Sequence, residues 1–473
     1  MMGLDTRRHF LRLAMGGALG GTAAAATCNT KLQCNQLKPL PKGDPTPLPP
    51  EPKRVPRPLA SSAAGKAALG QLKDAYDQLL ARDPAKQNSL LYQMSLHDLY
   101  CSNRTGTADI HSSWDFLPWH RGFVYFHERI LRAIIGDSFR LPVWDWDNPG
   151  ADKVPDFYTS WARNNICKHT RDDLDGRVSQ CSQEAWLFSP TYQEFAGYKP
   201  YAMGPHHALR GSAPNGPHSY VHSYIGGALS LPCTAAADPL FYAHHANVDR
   251  FWKHWQKSTG FRPPQGFGGQ VFCFYDEHCQ PWFVRAIDLA QMDEGRLGYC
   301  YADLPNVPVP NPSDPAAVLF QGPILTVRSL GAILKELLSK PDLKSALASL
   351  VSMVFHIGSA VSINLPFRIS WQSQNLEPGQ FYFIALASAQ DPQDQKLIGG
   401  FGQFADPGDV HGSDQVVATG CLGLEHLLWA AQRITNGKMV QLIYGQPDEN
   451  MVTIPVPKTF WPTDFTVLRS HSA

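Results

Sequence analysis

The sequence predicts a mainly α-helical protein with a smaller β-rich region at its carboxyl terminus. Apolar residues recur every three or four positions in several segments before residue 136, whereas the tail after residue 359 has short or alternating apolar runs. The chain has 473 residues, of which 43% are hydrophobic and 17% charged. This balance is typical of a globular protein with a substantial core and room for two or three domains.

Three segments of the amino-terminal half carry the helical pattern. Residues 63–81 form the first predicted helix, residues 89–100 the second and residues 118–135 the third. The spacing in the first and third predicts one buried face each. The residues on those faces are Leu69, Leu72, Ala75, Tyr76 and Leu79 in the first, and Phe123, Phe126, Ile130, Leu131 and Ile134 in the third.

A proline-bearing stretch separates the two regions. Pro312, Pro315 and Pro323 mark a linker over residues 311–329, and residues 330–473 form the predicted β-rich domain. That domain begins with a helical stretch over residues 330–354. Strands are then expected at residues 360–371, 380–387 and 438–444.

The first 62 residues contain two further segments. Arg7 and Arg8 precede a weakly apolar, Gly/Ala-rich run that ends in small residues near Ala26, so residues 1–26 are predicted to be a twin-arginine export signal. The alternative is a solvated, alanine-rich helix. Residues 27–62 form a proline-rich, extended arm, since proline recurs every few positions between Lys38 and Pro58.

Composition excludes some partners and leaves others open. Lysine plus arginine and aspartate plus glutamate number 41 each, and the chain has no basic stripe, so nucleic acid is not an expected partner. No apolar run reaches about 18 residues, so no membrane span is expected. The ten cysteines do not have zinc-site spacing. Cys28 with Cys34, and Cys167 with Cys181, are candidate disulfides whose pairing the sequence does not fix.

Six histidines fall into two groups. The first group is His97, His111 and His120, and the second is His218, His222 and His245. His218 and His222 are four residues apart, which places them on one face of a helix. His245 lies in a segment that begins with Asp238-Pro239, a helix-start signal. Each histidine alone, or the pair at four-residue spacing, has a structural explanation. Two triplets without an accompanying carboxylate favour copper, which neutral imidazoles bind well.

The neighbours of these histidines resemble a known family. The segment from His97 through IHSSWDFLPWHRGFVYFHERIL to LPVWDWDNP is similar to the copper A half of plant-type polyphenol oxidases, the catechol oxidase and tyrosinase family. The segment from PHSYVHSYIGG to DPLFYAHHANVDRFW is similar to the copper B half. The resemblance covers about residues 90–305 and includes the closing tyrosine motif at Tyr299 and Tyr301. LPFRISW, LIGGFGQF and LEHLLWA resemble, more weakly, the carboxyl-terminal domain of latent members.

This resemblance implies an architecture and a cofactor. Residues 63–310 would form a four-helix-bundle core around two copper ions, a binuclear type 3 centre. Residues 330–473 would form a β-sandwich that shields the site. The enzyme would then be latent, and cleavage near residues 312–323 would activate it.

The resemblance also implies residue roles. His97, His111 and His120 would bind copper A, and His218, His222 and His245 copper B. His244 would be a neighbour of the ligands without binding metal. Cys101 stands where many members form a thioether to the histidine equivalent to His111, although a free buried thiol is the alternative. Asn247 and Asp249 match the motif beside the last ligand; Asp249 is expected to orient a ligand histidine or pair with Arg250, or else to form a helix-surface ion pair.

The implied activity is the oxidation of o-diphenols to o-quinones with reduction of O2 to water. Members that hydroxylate monophenols carry a glutamate and often an asparagine where this chain has Pro214 and Ser219, neither of which is a general base. Weak or absent monophenol hydroxylation is therefore expected. Leu231 and Pro232 occupy the position of the aromatic substrate gate, and Asp98 replaces a cysteine that tethers the arm.

Other functions remain open at this point. The alternatives are a hydroxylase of a specialised phenolic metabolite, an oxygen-binding type 3 copper protein without turnover, and a protein whose histidines are structural. The expected partners are small phenols and O2, and the oligomeric state is not predicted. The export signal implies the thylakoid lumen if the source is a plant, and secretion otherwise.

Overall fold

The structure is a computed structural model. It describes residues 32, 40–48, 54–101, 110–166, 174, 187, 192–196, 217–291, 294–305, 318–321, 324–325, 364–373, 381–402, 414–447, 453–455 and 464–468. The predicted export signal, the four cysteines Cys28, Cys34, Cys167 and Cys181, the helical stretch 330–354 and Pro214 lie outside the described residues, as does most of the linker. Among the helices described, none is long and apolar enough to cross a membrane.

The described residues before position 306 are predominantly helical. The helices are α1 (Ala63–Gly70), α2 (Leu72–Ala81), α3 (Leu90–Cys101), α4 (Phe116–Ile135), α5 (Asp156–Asn165), α6 (Tyr192–Ala196), α7 (Ser219–Ile225), α8 (Pro232–Ala235), α9 (Pro239–Thr259), α10 (Ala286–Gln291) and α11 (Glu294–Leu297). The second and third predicted helices are confirmed as α3 and α4. The first is two helices, because the chain breaks at Gln71 after Gly70, a weak helix former.

The core of this half lies between α4 and α9. The carboxylate of Asp238 accepts the N–H of Leu240 and so caps α9, and Pro239 takes the first helical position, where its missing N–H costs nothing. Phe123 of α4 packs against Tyr242 of α9 with ring centroids 5.6 Å apart. This contact brings the two helices that carry His120 and His245 together, and burying such rings is the main stabilisation of the interface.

The arm is attached to the core by backbone pairing. Strand β1 (Val55–Arg57) runs parallel to β4 (Tyr299–Tyr301). Further along, the N–H of Ala60 donates to the carbonyl of Val143, 2.7 Å away. The arm is thus held without the cysteine that Asp98 replaces. Its proposed Cys28–Cys34 pair lies outside the described residues.

The remaining strands form a hairpin and a larger sheet. The hairpin pairs β2 (Val271–Tyr275) with β3 (Pro281–Arg285). The nine-stranded sheet of the described residues contains β5 (Val318–Gln321), β6 (Ile324–Leu325), β7 (Asn364–Ser373), β8 (Phe381–Ser388), β9 (Asp391–Gly402), β10 (Asp414–Gly423), β11 (Val440–Pro447), β12 (Thr453–Pro455) and β13 (Asp464–Leu468).

The sheet order is β12-β11-β8-β9-β10-β7-β13-β5, with β6 paired to β11. The three strands expected from the sequence correspond to β7, β8 and β11. Helix α12 (Leu424–Thr435) follows β10 and packs on the sheet, and β8 and β9 contact α7. The second predicted histidine group therefore lies beside this sheet.

Candidate metal centre

The structure brings all six predicted histidines to one buried place. His97 comes from α3, His111 from a 3₁₀ turn (Ile110–Ser112) and His120 from α4. The second group comes from α7, the residue before it, and α9. No member of either group is more than 3% exposed.

The rings of each group lie within contact distance of one another. In the first, the centroid of His111 is 5.3 Å from that of His97 and 4.9 Å from that of His120. In the second, the centroids of His218 and His222 are 4.5 Å apart, and that of His245 is 4.9 Å from His218.

The two groups also adjoin. His120 and His245 stack with centroids 4.2 Å apart and ring planes 8° from parallel, while His111 and His218 stack at 5.7 Å. Two ions held by the two groups would therefore be neighbours.

Backbone carbonyls fix the orientation of three of these rings. Nδ1 of His97 lies 2.8 Å from the carbonyl oxygen of Pro232, Nδ1 of His120 2.7 Å from that of Phe116, and Nδ1 of His222 2.7 Å from that of Leu229. A carbonyl only accepts, so each Nδ1 carries the proton and each Nε2 presents a lone pair. Within the described residues Nε2 of His120 is buried and makes no hydrogen bond, as expected of a metal-binding atom.

The distance between two ring nitrogens fits a shared ion. Nε2 of His222 lies 3.2 Å from Nε2 of His245. Two nitrogens bound to one tetrahedral ion at about 2.0–2.1 Å would be about 3.3–3.4 Å apart. Neutral imidazoles with converging lone pairs are donors that suit copper, so the residues present fit the binuclear copper centre that the resemblance implies.

Burial keeps these imidazoles neutral. Desolvation lowers the pKa of His120, His222 and His245 well below the ordinary value, and the neighbouring histidines lower it further. A proton therefore does not compete with a metal ion for these nitrogens at neutral pH.

His244 lies as close to the second group as a ligand would. Ring nitrogens of His218, His222 and His244 fall within 4.8 Å of one another. However, the indole N–H of Trp146 donates to Nδ1 of His244 over 3.1 Å. Neutral His244 must then carry its proton on Nε2, which leaves no lone pair for a metal, and burial lowers its pKa to about 3. The hydrogen bond favours His245 over His244 as the third donor.

Cys101 is a buried thiol beside the first group. Its Sγ lies 3.4 Å from Nε2 of His97, and one ring nitrogen of His111 falls within 4.8 Å of both. The sulfur forms no disulfide. Cys101 and His111 are thus brought together, as the thioether hypothesis requires.

Asp249 has a different partner from the one predicted. Its carboxylate accepts from Nε of Arg121 at 2.7 Å and from the hydroxyls of Tyr299, at 2.8 Å, and Tyr301. Both Asp249 and Arg121 are at most 5% exposed, so the expectation of a surface ion pair is wrong. The expected pair with Arg250 is wrong too, because both carboxylate oxygens are bound to Arg121 and the two tyrosines, and among the described residues Asp249 orients no ligand histidine by a hydrogen bond. Although burial raises the pKa of Asp249, Arg121, Tyr301 and Arg57 together hold it below its usual value.

Arg250 pairs with Asp147 instead. The guanidinium Nη1 lies 2.8 Å from Asp147, whose carboxylate also accepts from the amide of Asn247 at 2.8 Å. The same Nη1 donates to the Asn247 side-chain oxygen. Asn247 therefore belongs to a network that ties α9, two residues after His245, to the segment that contains Trp146.

The predicted gate residues lie in different environments. Leu231 is half-buried and precedes α8, whereas Pro232 is buried and its carbonyl holds His97. Next to it, Cys233 is disulfide-bonded, and its position in the sequence does not predict this bond. Three further residues that hold the site together were not predicted: Trp146, Asp147 and Arg121. They lie in the motifs WDWD and WHR, both of which belong to the segments that resemble polyphenol oxidases.

The comparisons with known proteins agree with this class of site. The common central domain of tyrosinase matches residues 87–207 and 162–258. All six predicted histidines lie within the matched residues, so this part of the chain is similar to the common central domain of tyrosinase.

The relatives that the chain matches include polyphenol oxidases of plants. The chain is 32% identical over 291 residues to the chloroplastic polyphenol oxidase of Vitis vinifera, covering 52% of this chain and 47% of that protein. It is 30% identical over 298 residues to the chloroplastic (+)-larreatricin hydroxylase of Larrea tridentata, covering 54% and 50%. The chain thus spans about half the length of the curated relatives it matches, and the resemblance to plant-type polyphenol oxidases is confirmed.

A solved structure shares the fold. The recombinantly expressed latent aurone synthase, a polyphenol oxidase, superposes with a TM-score of 0.55 over 94% of this chain and 99% of that chain, at 19% identity. This likeness supports the fold alone.

Proposed function

We propose that the chain is a copper-dependent oxidase that converts o-diphenols to o-quinones and reduces O2 to water. The observation that supports this most strongly is the single buried cluster of six imidazoles, in which three rings have Nδ1 bound to backbone carbonyls. His97, His111 and His120 would hold one copper ion, and His218, His222 and His245 the other. When bound, the two ions would supply the redox chemistry that moves two electrons from each of two o-diphenols to one dioxygen molecule.

The chain itself contributes orientation and exclusion of water. The carbonyls of Pro232, Phe116 and Leu229 hold three rings before any metal binds, so little reorganisation is needed. Phe241 lies against His97 and His245, with centroids 4.8 and 4.2 Å away. Such apolar walls keep the imidazoles dry and neutral.

Monophenol hydroxylation is proposed to be weak or absent. It requires a base that takes the phenolic proton, and Pro214 has no ionisable group. Ser219, at the start of α7, has a hydroxyl that is far too weakly basic. A diphenol loses its protons more readily, and oxidation of diphenols is therefore the favoured reaction.

A hydroxylase of a specialised phenol is the second candidate. The relative from Larrea tridentata is named for such a reaction and is about as similar to this chain as the polyphenol oxidase from Vitis vinifera. This function would need another proton acceptor near the substrate. An oxygen-binding protein without turnover would show no oxidation of any phenol.

Oxygen uptake with a catechol and a monophenol, side by side on copper-loaded protein, tests these functions. The catechol should be consumed much faster than the monophenol. The matched control is His278→Asn, at an exposed position, which should leave both rates unchanged. A monophenol rate comparable to the catechol rate would refute the diphenol preference, and no uptake with either would refute the enzyme.

The carboxyl-terminal β-rich region, residues 330–473, is proposed to form a sandwich that shields the site. The contact of β8 and β9 with α7, which carries His222, supports this. Cleavage near residues 312–323 should raise the oxidation rate. Trimmed protein that is no more active than the full chain would exclude shielding.

The proposed location is the plastid, in the thylakoid lumen. The relatives from Vitis vinifera and Larrea tridentata are both named chloroplastic, which supports plastid targeting. The twin-arginine segment 1–26 would direct export. Fusion of residues 1–30 to a reporter should send it across the thylakoid membrane, and replacement of Arg7 and Arg8 by lysine should stop this.

A further inference from the structure

A second group of polar aromatic side chains lies next to the six histidines of the metal centre. It comprises Tyr76 of α2, His127 of α4, Tyr242 of α9 and Trp161 of α5. His127 follows His120 by seven residues on the same helix, and Tyr242 precedes His245 by three. Two members of the group therefore lie on α4 and α9, the helices that carry His120 and His245. None of the four is among the six proposed metal ligands.

Tyr76 and His127 form a buried proton donor and acceptor pair. The hydroxyl oxygen of Tyr76 lies 2.9 Å from Nε2 of His127, and neither residue is exposed. Nδ1 of His127 makes no hydrogen bond within the described residues. If His127 donated, both this Nδ1 and the tyrosine proton would be unsatisfied. Tyr76 therefore donates to Nε2, which leaves only one N–H without an acceptor.

Both members of this pair are neutral at rest. Burial lowers the pKa of His127 well below its ordinary value and raises that of Tyr76 well above. The proton therefore stays on the phenol until the phenol loses an electron, which makes a phenolic O–H strongly acidic. Apolar side chains at these two positions would fill the same space without leaving a buried nitrogen unsatisfied. Buried polar pairs that cost stability in this way are found mainly at functional sites.

The aromatic rings continue from this pair towards the metal centre. His127 stacks on Tyr242 with centroids 3.3 Å apart and planes 4° from parallel. The ring of Tyr242 is 5.1 Å from that of Phe241, which is 4.2 Å from that of His245. Steps of this length between rings are short enough for electron tunnelling.

The rings also continue towards the surface. The centroid of Tyr76 is 5.6 Å from that of Trp161, whose indole N–H donates to Asp77 at 2.7 Å. The side chain of Asp77 is 39% exposed. Tyrosine and tryptophan are the side chains most easily oxidised by one electron, and here they lie in sequence from the metal centre to solvent.

We propose that Tyr76 and His127 form a proton-coupled electron relay that carries oxidising equivalents away from the metal centre when no phenol is bound. One electron leaves Tyr76 and passes through Tyr242 to the oxidised metal pair. The phenolic proton moves to Nε2 of His127, which leaves a neutral tyrosyl radical and an imidazolium. A one-electron reductant such as ascorbate then restores Tyr76 through Trp161, and the proton returns. The relay rests on the proposed oxidase, which supplies the oxidant.

The first test detects the radical in copper-loaded protein. Hydrogen peroxide is added without phenol, and samples are frozen for electron paramagnetic resonance. A tyrosyl signal is expected in the unaltered protein, and Tyr76→Phe should lose it. Tyr158→Phe is the matched control, because Tyr158 is also buried but its hydroxyl makes no hydrogen bond within the described residues; it should keep the signal. His127→Phe, which keeps a ring but removes the proton acceptor, should lose it as Tyr76→Phe does.

The outcomes separate the relay from the oxidase. If the oxygen-dependent near-ultraviolet band forms but no Tyr76-dependent radical appears, the relay is wrong and the metal centre stands. If the band does not form, the oxidase is wrong. In that case the relay is tested separately, on metal-free protein, by measuring the tyrosyl radical that flash photo-oxidation with a ruthenium tris-bipyridine complex produces. A radical yield that falls in Tyr76→Phe and not in Tyr158→Phe supports it, and equal yields overturn it.

Discussion

The hydrogen bond from the indole of Trp146 to Nδ1 of His244 distinguishes this residue from the adjacent His245, whose ring centroid lies 5.4 Å away. It places the proton of His244 on Nε2, so of the two residues only His245 can offer a lone pair to the proposed second copper ion. His244→Asn, whose amide oxygen can still accept from Trp146, should bind both copper ions. His245→Asn should lose one of them. The measurement is the ratio of copper to protein by atomic absorption, and equal loss in both variants would contradict this assignment.

The Asp249 network should make a large contribution to stability. Asp249→Asn leaves the buried guanidinium of Arg121 without its counter-ion, so the free energy of unfolding should fall by about 3–5 kcal/mol. Tyr299→Phe removes one hydrogen bond to the same carboxylate and should cost about 1.5–3 kcal/mol. Denaturant unfolding at pH 7 measures both. If the two variants are equally stable, Arg121 does not depend on this charge.

The arm should depend on a buried ion pair. Nε of Arg57 lies 2.9 Å from Glu128, both side chains are at most 3% exposed, and the guanidinium covers the ring of Tyr299 at 3.5 Å. Arg57→Met should lower the free energy of unfolding by about 3–5 kcal/mol, because buried Glu128 then loses its close ion pair and keeps only the longer one to Arg140, 3.9 Å away. Faster proteolysis near residue 54 should accompany this loss. Arg285→Met, at an exposed pair with Asp288, is the control and should behave as the unaltered protein does.

Buried His127 should make the metal-free protein sensitive to acid. Its pKa is lowered in the folded state, so below about pH 6.5 the unfolded chain takes up a proton that the folded chain does not. The stability that this histidine confers is complete above about pH 6.5 and is lost as the pH falls. His127→Phe should make the decline shallower by up to about 1.4 kcal/mol per pH unit. Unfolding at pH 7, 6 and 5 tests this, and a slope that is the same in His127→Phe and in the unaltered protein would contradict it.

Peptide mapping tests the thioether between Cys101 and His111. Formation of the S–C bond removes two hydrogen atoms, which dioxygen accepts, so the joined peptides should be lighter than their sum by two hydrogens. In denatured protein an alkylating reagent should modify Cys273, a buried free thiol, and not Cys101. Equal modification of both cysteines after copper loading would show that Cys101 is a free thiol.

The sequence predicted those parts of the structure that depend on local spacing. The buried faces of α2 and α4 follow from apolar periodicity, and the start of α9 follows from Asp238 and Pro239. The grouping of His218 with His222 has the same origin. The grouping of His245 with this pair follows from its place in the same stretch of the sequence, and in the fold its ring centroid lies 4.9 Å from that of His218.

Contacts between distant residues were not predictable in this way. Asp249 pairs with Arg121, which is 128 positions away, and the adjacent Arg250 was the nearer candidate in sequence. On a helix, however, consecutive side chains point in different directions, so Asp249 and Arg250 face different neighbours. The bond from Trp146 to His244 is equally non-local, and only the three-dimensional arrangement shows that it separates His244 from His245.

The carbonyls that hold His97, His120 and His222 belong to the main chain. An alanine scan through Pro232, Phe116 and Leu229 leaves all three oxygens in place, so these acceptors are invisible to ordinary mutagenesis. Substitution of a side chain does not remove a backbone carbonyl, so these acceptors remain as long as the backbone keeps its path. Substitutions around the site can therefore change the residues that line the pocket, and with them the substrate that fits, while the six histidine rings keep their positions.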